Sequence, residues 1–201
     1  MKNANAFGLP QVKVPPVDFE QVSKRIKSVI NIIQKHDSEE RFCNLGAKVE
    51  FGDPKFIDEH AVRLNGKTFS AKNWVIATGS SPLVPPIEGL ENTPHITNKE
   101  IFYLDHLPES MIILGGGPIG TEMGQAFNRL GTKVYIVDRS EQILGKEDKD
   151  MADGVMNVMR SEGVIFHLNS SIEATKDLGR HKEVVIKNAD GKTIHLKAEA
   201  I

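Results

Sequence analysis

The chain has 201 residues and a mass of 22.2 kDa, room for one large domain or two small ones with modest cores. Its 39% hydrophobic and 26% charged residues are the balance of a soluble globular chain. The net charge of -2, from 25 Lys and Arg against 27 Asp and Glu, gives no electrostatic case for nucleic acid or an anionic membrane. No apolar run reaches the ~20 residues of a membrane span. Met1–Pro10 lacks an apolar core of signal-peptide type. The single cysteine, Cys43, excludes an internal disulfide, a C-x-x-C pair and a cysteine metal cluster. A reducing, cytoplasmic setting is the expectation, with Cys43 a half-buried helix residue.

Pro15 and Pro16 extend the chain, and Asp18 with Gln21 resembles a capping box. Phe19, Val22, Ile26, Val29, Ile30 and Ile33 then recur at three- and four-residue spacing, which predicts an amphipathic helix from Phe19 to about Lys35. A short helix near Ser38–Asn44 is expected to stop at Gly46. Val49 and Phe51, then Phe56, Val62, Leu64 and Phe69, mark short strands with Asn65-Gly66 as a hairpin turn; the apolar run Trp74–Ala77 completes an antiparallel meander. The stretch 80–109 holds Pro82, Pro85, Pro86, Pro94 and Pro108 and reads as a domain connection.

Composition then changes. Met111–Leu114 is a wholly apolar strand, and the following helix presents Ile119, Met123, Ala126, Phe127 and Leu130 on one face before Gly131. Val134–Val137 is the second strand of a unit the size of one βαβ crossover. A helix from Asp148 to Glu162 is expected to bury Met151, Val155, Val158 and Met159, followed by a buried strand Val164–Leu168. Val184 and Ile186, Asp190-Gly191, then Ile194 and Leu196 read as a hairpin.

Chemistry concentrates between the first two strands of the apolar unit. Gly115, Gly117 and Gly120 fit G-x-G-x-x-G between an apolar strand and an amphipathic helix. Asp138 ends the second strand 18 residues beyond Gly120, near the ~20 typical of a ribose-binding carboxylate. Gly115 permits the tight turn, Gly117 leaves room for a pyrophosphate, and Gly120 brings helix and strand together, with Gly124 extending that contact. Free backbone N–H groups and the helix dipole stabilise the diphosphate charge. Asp138 accepts hydrogen bonds from ribose hydroxyls and faces a 2′-phosphate with a like charge, which favours NAD over NADP; the adjacent Arg139 weakens that preference.

The stretch IILGGGPIGTEMGQAFNRLGTKVYIVDRSEQIL resembles the pyridine-nucleotide segment of the flavin-dependent disulfide oxidoreductases, the family of dihydrolipoamide dehydrogenase, glutathione reductase and mercuric reductase. WVIATGSSPLVPPIEGL resembles the family's flavin-domain A-T-G segment. PPVDFEQVSKRIKSVINIIQKHDSEERFCNLGAKVEFGDPKF is similar to the helix and meander before it, nearest to mercuric reductase-like members. The resemblance implies an α/β chain: a Rossmann-type NAD-binding domain with a parallel sheet over 110–201, lacking its final strand, and a partial FAD-binding segment with its connection over 1–109. It places Gly115, Gly116, Gly117, Pro118 and Gly120 on the NAD diphosphate, Ile119 and Glu122 near the nicotinamide, Asp138 on ribose and Ile172 in the adenine pocket. Ala77, Thr78, Gly79 and Ser80 would run beside FAD, and Gly52 would approach its adenosine.

Not present in the sequence are the family's first G-x-G-x-x-G, its C-x-x-x-x-C redox dithiol, its later G-D segment and its C-terminal His–Glu pair. The expectation is therefore the central portion of a longer homodimeric enzyme, with no catalytic residue of its own. In that parent a hydride passes from NADH to FAD and on to a disulfide or related acceptor, or the reverse as in lipoamide dehydrogenase. The alternative is a stand-alone NAD-binding or sensing module. The seven histidines show no zinc spacing, and Asp148, Asp150 and Asp153 do not match an EF-hand loop, so no metal is expected.

Overall fold

The computed structural model describes residues 4–10, 13 and 15–201. The chain divides into two compact units, one of residues 1–24 and 84–201, the other of residues 25–83. The first helix, α1 (Phe19–His36), begins in one and continues in the other. Asp18 opens it as the spacing predicts: one carboxylate oxygen accepts from the Gln21 backbone at 3.3 Å and the other from the Gln21 amide at 2.8 Å.

In the smaller unit α2 (Glu39–Asn44) is capped by Ser38, whose hydroxyl accepts from the Arg41 N–H. Cys43 on this helix is exposed, not half-buried. An antiparallel sheet follows in the order β1 (Lys55–Phe56), β2 (Ala61–Leu64), β3 (Lys67–Ser70), turned by Asn65 and Gly66 at φ of 51° and 78°. Two expected strands are missing. Val49–Phe51 and Trp74–Ala77 have no strand pairing, and Val75 and Ile76 stand 89% and 73% exposed. An apolar run forms a strand only where a neighbour supplies hydrogen-bond partners. Trp74 instead meets Phe56 edge-on at 5.4 Å.

The larger unit is a three-layer α/β structure. A parallel sheet runs in the order β4 (Ser110–Leu114), β5 (Lys133–Val137), β6 (Ile165–His167), joined by α3 (Pro118–Leu130) and α4 (Lys149–Ser161). An antiparallel sheet, β7 (Ser171–Asp177), β8 (Lys182–Lys187) and β9 (Thr193–Ala198), follows, and Ala200 then bridges Met111 in parallel. Strand alternation divides the core. Met111, Ile113, Val134 and Ile136 pack with Phe127, Met156 and Met159 on the helix side. Ile112, Leu114, Tyr135 and Val137 pack with Val184, Ile186 and Leu196 on the β7–β9 side. Burial on both faces is why β4 reads as unbroken apolar sequence.

The structure departs from the sequence pattern at α4, α3 and β6. The buried face of α4 is Ala152, Met156 and Met159; Met151 and Val158 are 64% and 47% exposed, and Val155 is at the surface with them. On α3 the buried residues are Thr121, Gly124 and Phe127, while Ile119 and Ala126 face solvent. The strand Val164–Leu168 is shorter and only half-buried, because β6 pairs on one side alone. The β8–β9 hairpin matches its alternating pattern, with Val184 opposite Leu196 and Ile186 opposite Ile194.

The connection is held to this unit by Glu199, whose carboxylate accepts from the Glu109 N–H at 2.8 Å and from His106 at 3.2 Å. The Glu109 N–H first, and His106 with it, hold the Glu199 carboxyl below the usual range against the opposing effect of burial. A lowered carboxyl pKa means stabilisation that is present above the ordinary carboxylate range and lost as pH falls through the lowered value. Glu199→Gln is therefore expected to lower stability by about 1 kcal/mol at neutral pH. In denaturant titrations the gap from the unaltered chain should close in acid.

Candidate functional site

The candidate site lies at the carboxyl ends of β4 and β5, where open α/β sheets bind ligands. Main chain leaves β4 through Gly115 at φ 114°, and its N–H donates to the Val137 carbonyl at 2.8 Å. Gly117 takes extended geometry as the N-cap of α3, and Pro118 supplies the first helical residue with its φ already suited. The Thr121 N–H turns back to the Gly117 carbonyl at 2.9 Å, closing the first turn.

The glycines divide into two kinds. A Cβ at Gly115 or Gly117 would meet no atom within 4 Å, so open space faces the loop at both positions. A Cβ at Gly120 would lie 2.2 Å from the Gly115 carbonyl oxygen, and one at Gly124 would lie 2.9 Å from Ile136 Cδ1. The latter two set α3 directly on the sheet. Gly116 also belongs to the packed kind, since its Cβ would lie 2.9 Å from Ile143 Cγ2.

Asp138 is half-buried at the end of β5. One carboxylate oxygen accepts from the Gly116 N–H at 2.6 Å, and the other from the Ser140 N–H at 2.7 Å. The sequence expected a carboxylate free for a ribose; the structure gives it a second task, joining the glycine loop to β5. Each oxygen keeps a lone pair for another donor. The Asp138 N–H donates to the His167 carbonyl at 3.0 Å. Burial holds the His167 imidazole below its usual range.

Ile119 and Glu122 are exposed on the first turns of α3. Ile172, on β7, is partly buried in the apolar cluster that contains Leu114 and Val137. Gly52 and Ala77–Ser80 lie in the other compact unit. Gly79 has φ 65°; Gly52 has φ 154°, and a Cβ there would lie 2.5 Å from Leu64 Cδ1, so the local backbone favours glycine at that position without any ligand. Three residues at the loop were not singled out from the sequence: Thr121, Ile143 and Leu144. The available signal was the dipeptide Ile143-Leu144 inside an otherwise polar turn.

Among the described residues no helix is long and apolar enough to cross a membrane. The family profile of the pyridine nucleotide-disulphide oxidoreductases matches residues 9–200. Mercuric reductase of Lysinibacillus sphaericus is 33% identical over 135 residues, 67% of this chain and 25% of that protein. Dihydrolipoyl dehydrogenase of Acholeplasma laidlawii is 33% identical over 155 residues, 75% of this chain and 44% of that protein. The solved structure of the HOCl-induced flavoprotein disulfide reductase RclA from Escherichia coli aligns with a TM-score of 0.77 at 30% identity, covering 92% of this chain and 42% of that one. The chain thus spans less than half the length of these relatives. A profile matched over nearly every residue, joined to the strand–glycine loop–helix described above, places the chain in the pyridine nucleotide-disulphide oxidoreductase family.

Proposed function

We propose that residues 110–201 bind the pyridine nucleotide, NAD(H) in preference to NADP(H), as the central portion of an FAD-dependent oxidoreductase. Residues 1–109 supply a flavin-side segment and its connection. The observation that carries this reading is the open space at Gly115 and Gly117 before the N-terminus of α3. A diphosphate fits where those side chains would be, facing free N–H groups and the positive end of the helix dipole. The open space at Gly115 and Gly117 admits it, and the Gly117, Ile119 and Gly120 N–H groups hold it; Gly116 and Pro118 shape the turn. Asp138 uses its remaining lone pairs for the adenosine ribose, Ile172 borders the adenine, and Ile119 and Glu122 lie toward the nicotinamide. The bound nucleotide supplies a hydride donor or acceptor, and the protein's part is to bind and orient it. On the flavin side the assigned residues are Gly52, Ala77, Thr78, Gly79 and Ser80. The parent is a cytoplasmic homodimer whose dithiol and acid–base pair lie outside these residues, and the isolated chain is inactive.

Calorimetric titration of the chain with NADH and NADPH tests this. NADH is expected to bind more tightly, because a 2′-phosphate meets the Asp138 carboxylate. Equal or tighter NADPH binding would sink the NAD assignment. Asp138→Asn, which keeps one carbonyl acceptor, is expected to narrow the gap by about 1–2 kcal/mol.

A further inference from the structure

We propose that the turn 140–148 is a positioning strap for the glycine loop, acting on dinucleotide binding through Ile143 and Leu144 without touching the ligand. This rests on the dinucleotide reading above and concerns the same site.

The Gly116 peptide is held on every side. Its N–H donates to Asp138 at 2.6 Å. Its carbonyl accepts from the Leu144 N–H at 2.7 Å and from the buried Thr121 hydroxyl at 3.2 Å. Ile143 fills the space beside its Cα and is fully buried within the helix-side core. Leu144 adopts φ 52°, a left-handed conformation that leucine avoids in isolation. Such a conformation persists only where surrounding contacts determine it. Here they are the buried Ile143, the Leu144 bond to Gly116, the Glu147 N–H on the Leu144 carbonyl at 2.8 Å, and the Asn169 N–H on the Ser140 carbonyl at 2.9 Å.

The consequence is directional. Gly116 lies between Gly115 and Gly117, the two positions that face open space. Its N–H belongs to the peptide shared with Gly115 and its carbonyl to the peptide shared with Gly117, so these bonds fix both planes of the turn. The loop N–H groups then point to one place before any ligand arrives, and binding a diphosphate requires little ordering. The strap should matter for ligands that carry a diphosphate and not for those that lack one.

The test compares NADH, ADP-ribose and adenosine as ligands of the full chain, with circular dichroism as the check of fold. Titrations follow the first two, and nuclear magnetic resonance shifts follow the weaker adenosine. Ile143→Ala is expected to weaken NADH and ADP-ribose about tenfold and adenosine less than twofold. Gly116→Ala presses a methyl group against Ile143 and is expected to weaken the same two ligands. The double variant should lose less than the product of the single losses, since both changes act on one contact. A folded Ile143→Ala chain with unchanged NADH affinity, or with all three ligands weakened alike, overturns the inference. If Ile143→Ala does not fold, Gly116→Ala, which disturbs the same contact from the other side, decides alone. Unchanged NADH affinity there overturns the strap. Absence of NADH binding by the unaltered chain overturns the dinucleotide reading itself, and the strap with it.

Discussion

Gly120→Ala is expected to destabilise the chain by about 3 kcal/mol, opposite in sign to the gain of about 1 kcal/mol from the same exchange in an open helix. The new methyl group would lie 2.2 Å from the Gly115 carbonyl oxygen and 3.1 Å from Ile113 Cγ2. The first obstacle is main chain, which cannot swing aside as a side chain would. Relief requires α3 to lift from β4 or the turn at Gly115 to open. Chemical denaturation should show a lower midpoint with a slope typical of the unaltered chain. A midpoint equal to or above the original would show that helix and strand separate easily and that the close approach is not needed.

Gly117→Val is expected to have the opposite profile, with stability nearly unchanged and NADH affinity reduced by at least about a hundredfold, or about 2.7 kcal/mol. Gly117 has φ -71° and ψ -178°, extended geometry that valine adopts readily, and its Cβ position is free of protein atoms. Only a ligand would meet the added methyl groups. Circular dichroism and NADH titration on one preparation separate the two effects. Retained affinity would mean that the loop serves packing alone.

The βαβ unit was legible because its signals are local and agree: an apolar run, glycines at fixed spacing, an amphipathic stretch, a second apolar run and Asp138. The hairpin of β8 and β9 was legible from strict alternation. β7 was not, since its sequence SIEATKD is mostly polar and a bulge between Ile172 and Ala174 breaks the period of two. The buried face of α4 was misread for a different reason. Met151, Val155 and Val158 share the spacing of Ala152, Met156 and Met159, so periodicity alone could not decide which stripe faces the sheet. Trp74–Ala77 failed as a strand because strand formation depends on a partner, which no local pattern supplies. At the site, the glycines and the acid were found from spacing. The bonds of Asp138 to Gly116 and Ser140, and the support from Ile143 and Leu144, join segments that only the fold brings together.

The alternation of β4 and β5 between two cores bears on how the larger unit breathes. Ile112, Val134, Ile136 and Val137 have no exposed surface, and their strands are covered on both faces. Removing either cover alone leaves the other holding the sheet, so the amides of these strands should exchange with deuterated solvent only through opening of the whole unit. Those of the edge strand β6 should exchange earlier, by partial opening. The glycine loop springs from the end of β4 and Asp138 from the end of β5. A nucleotide at this site would therefore rest on the slowest-exchanging part of the chain, and its arrival should slow exchange in the loop while leaving the strands beneath it nearly unaltered.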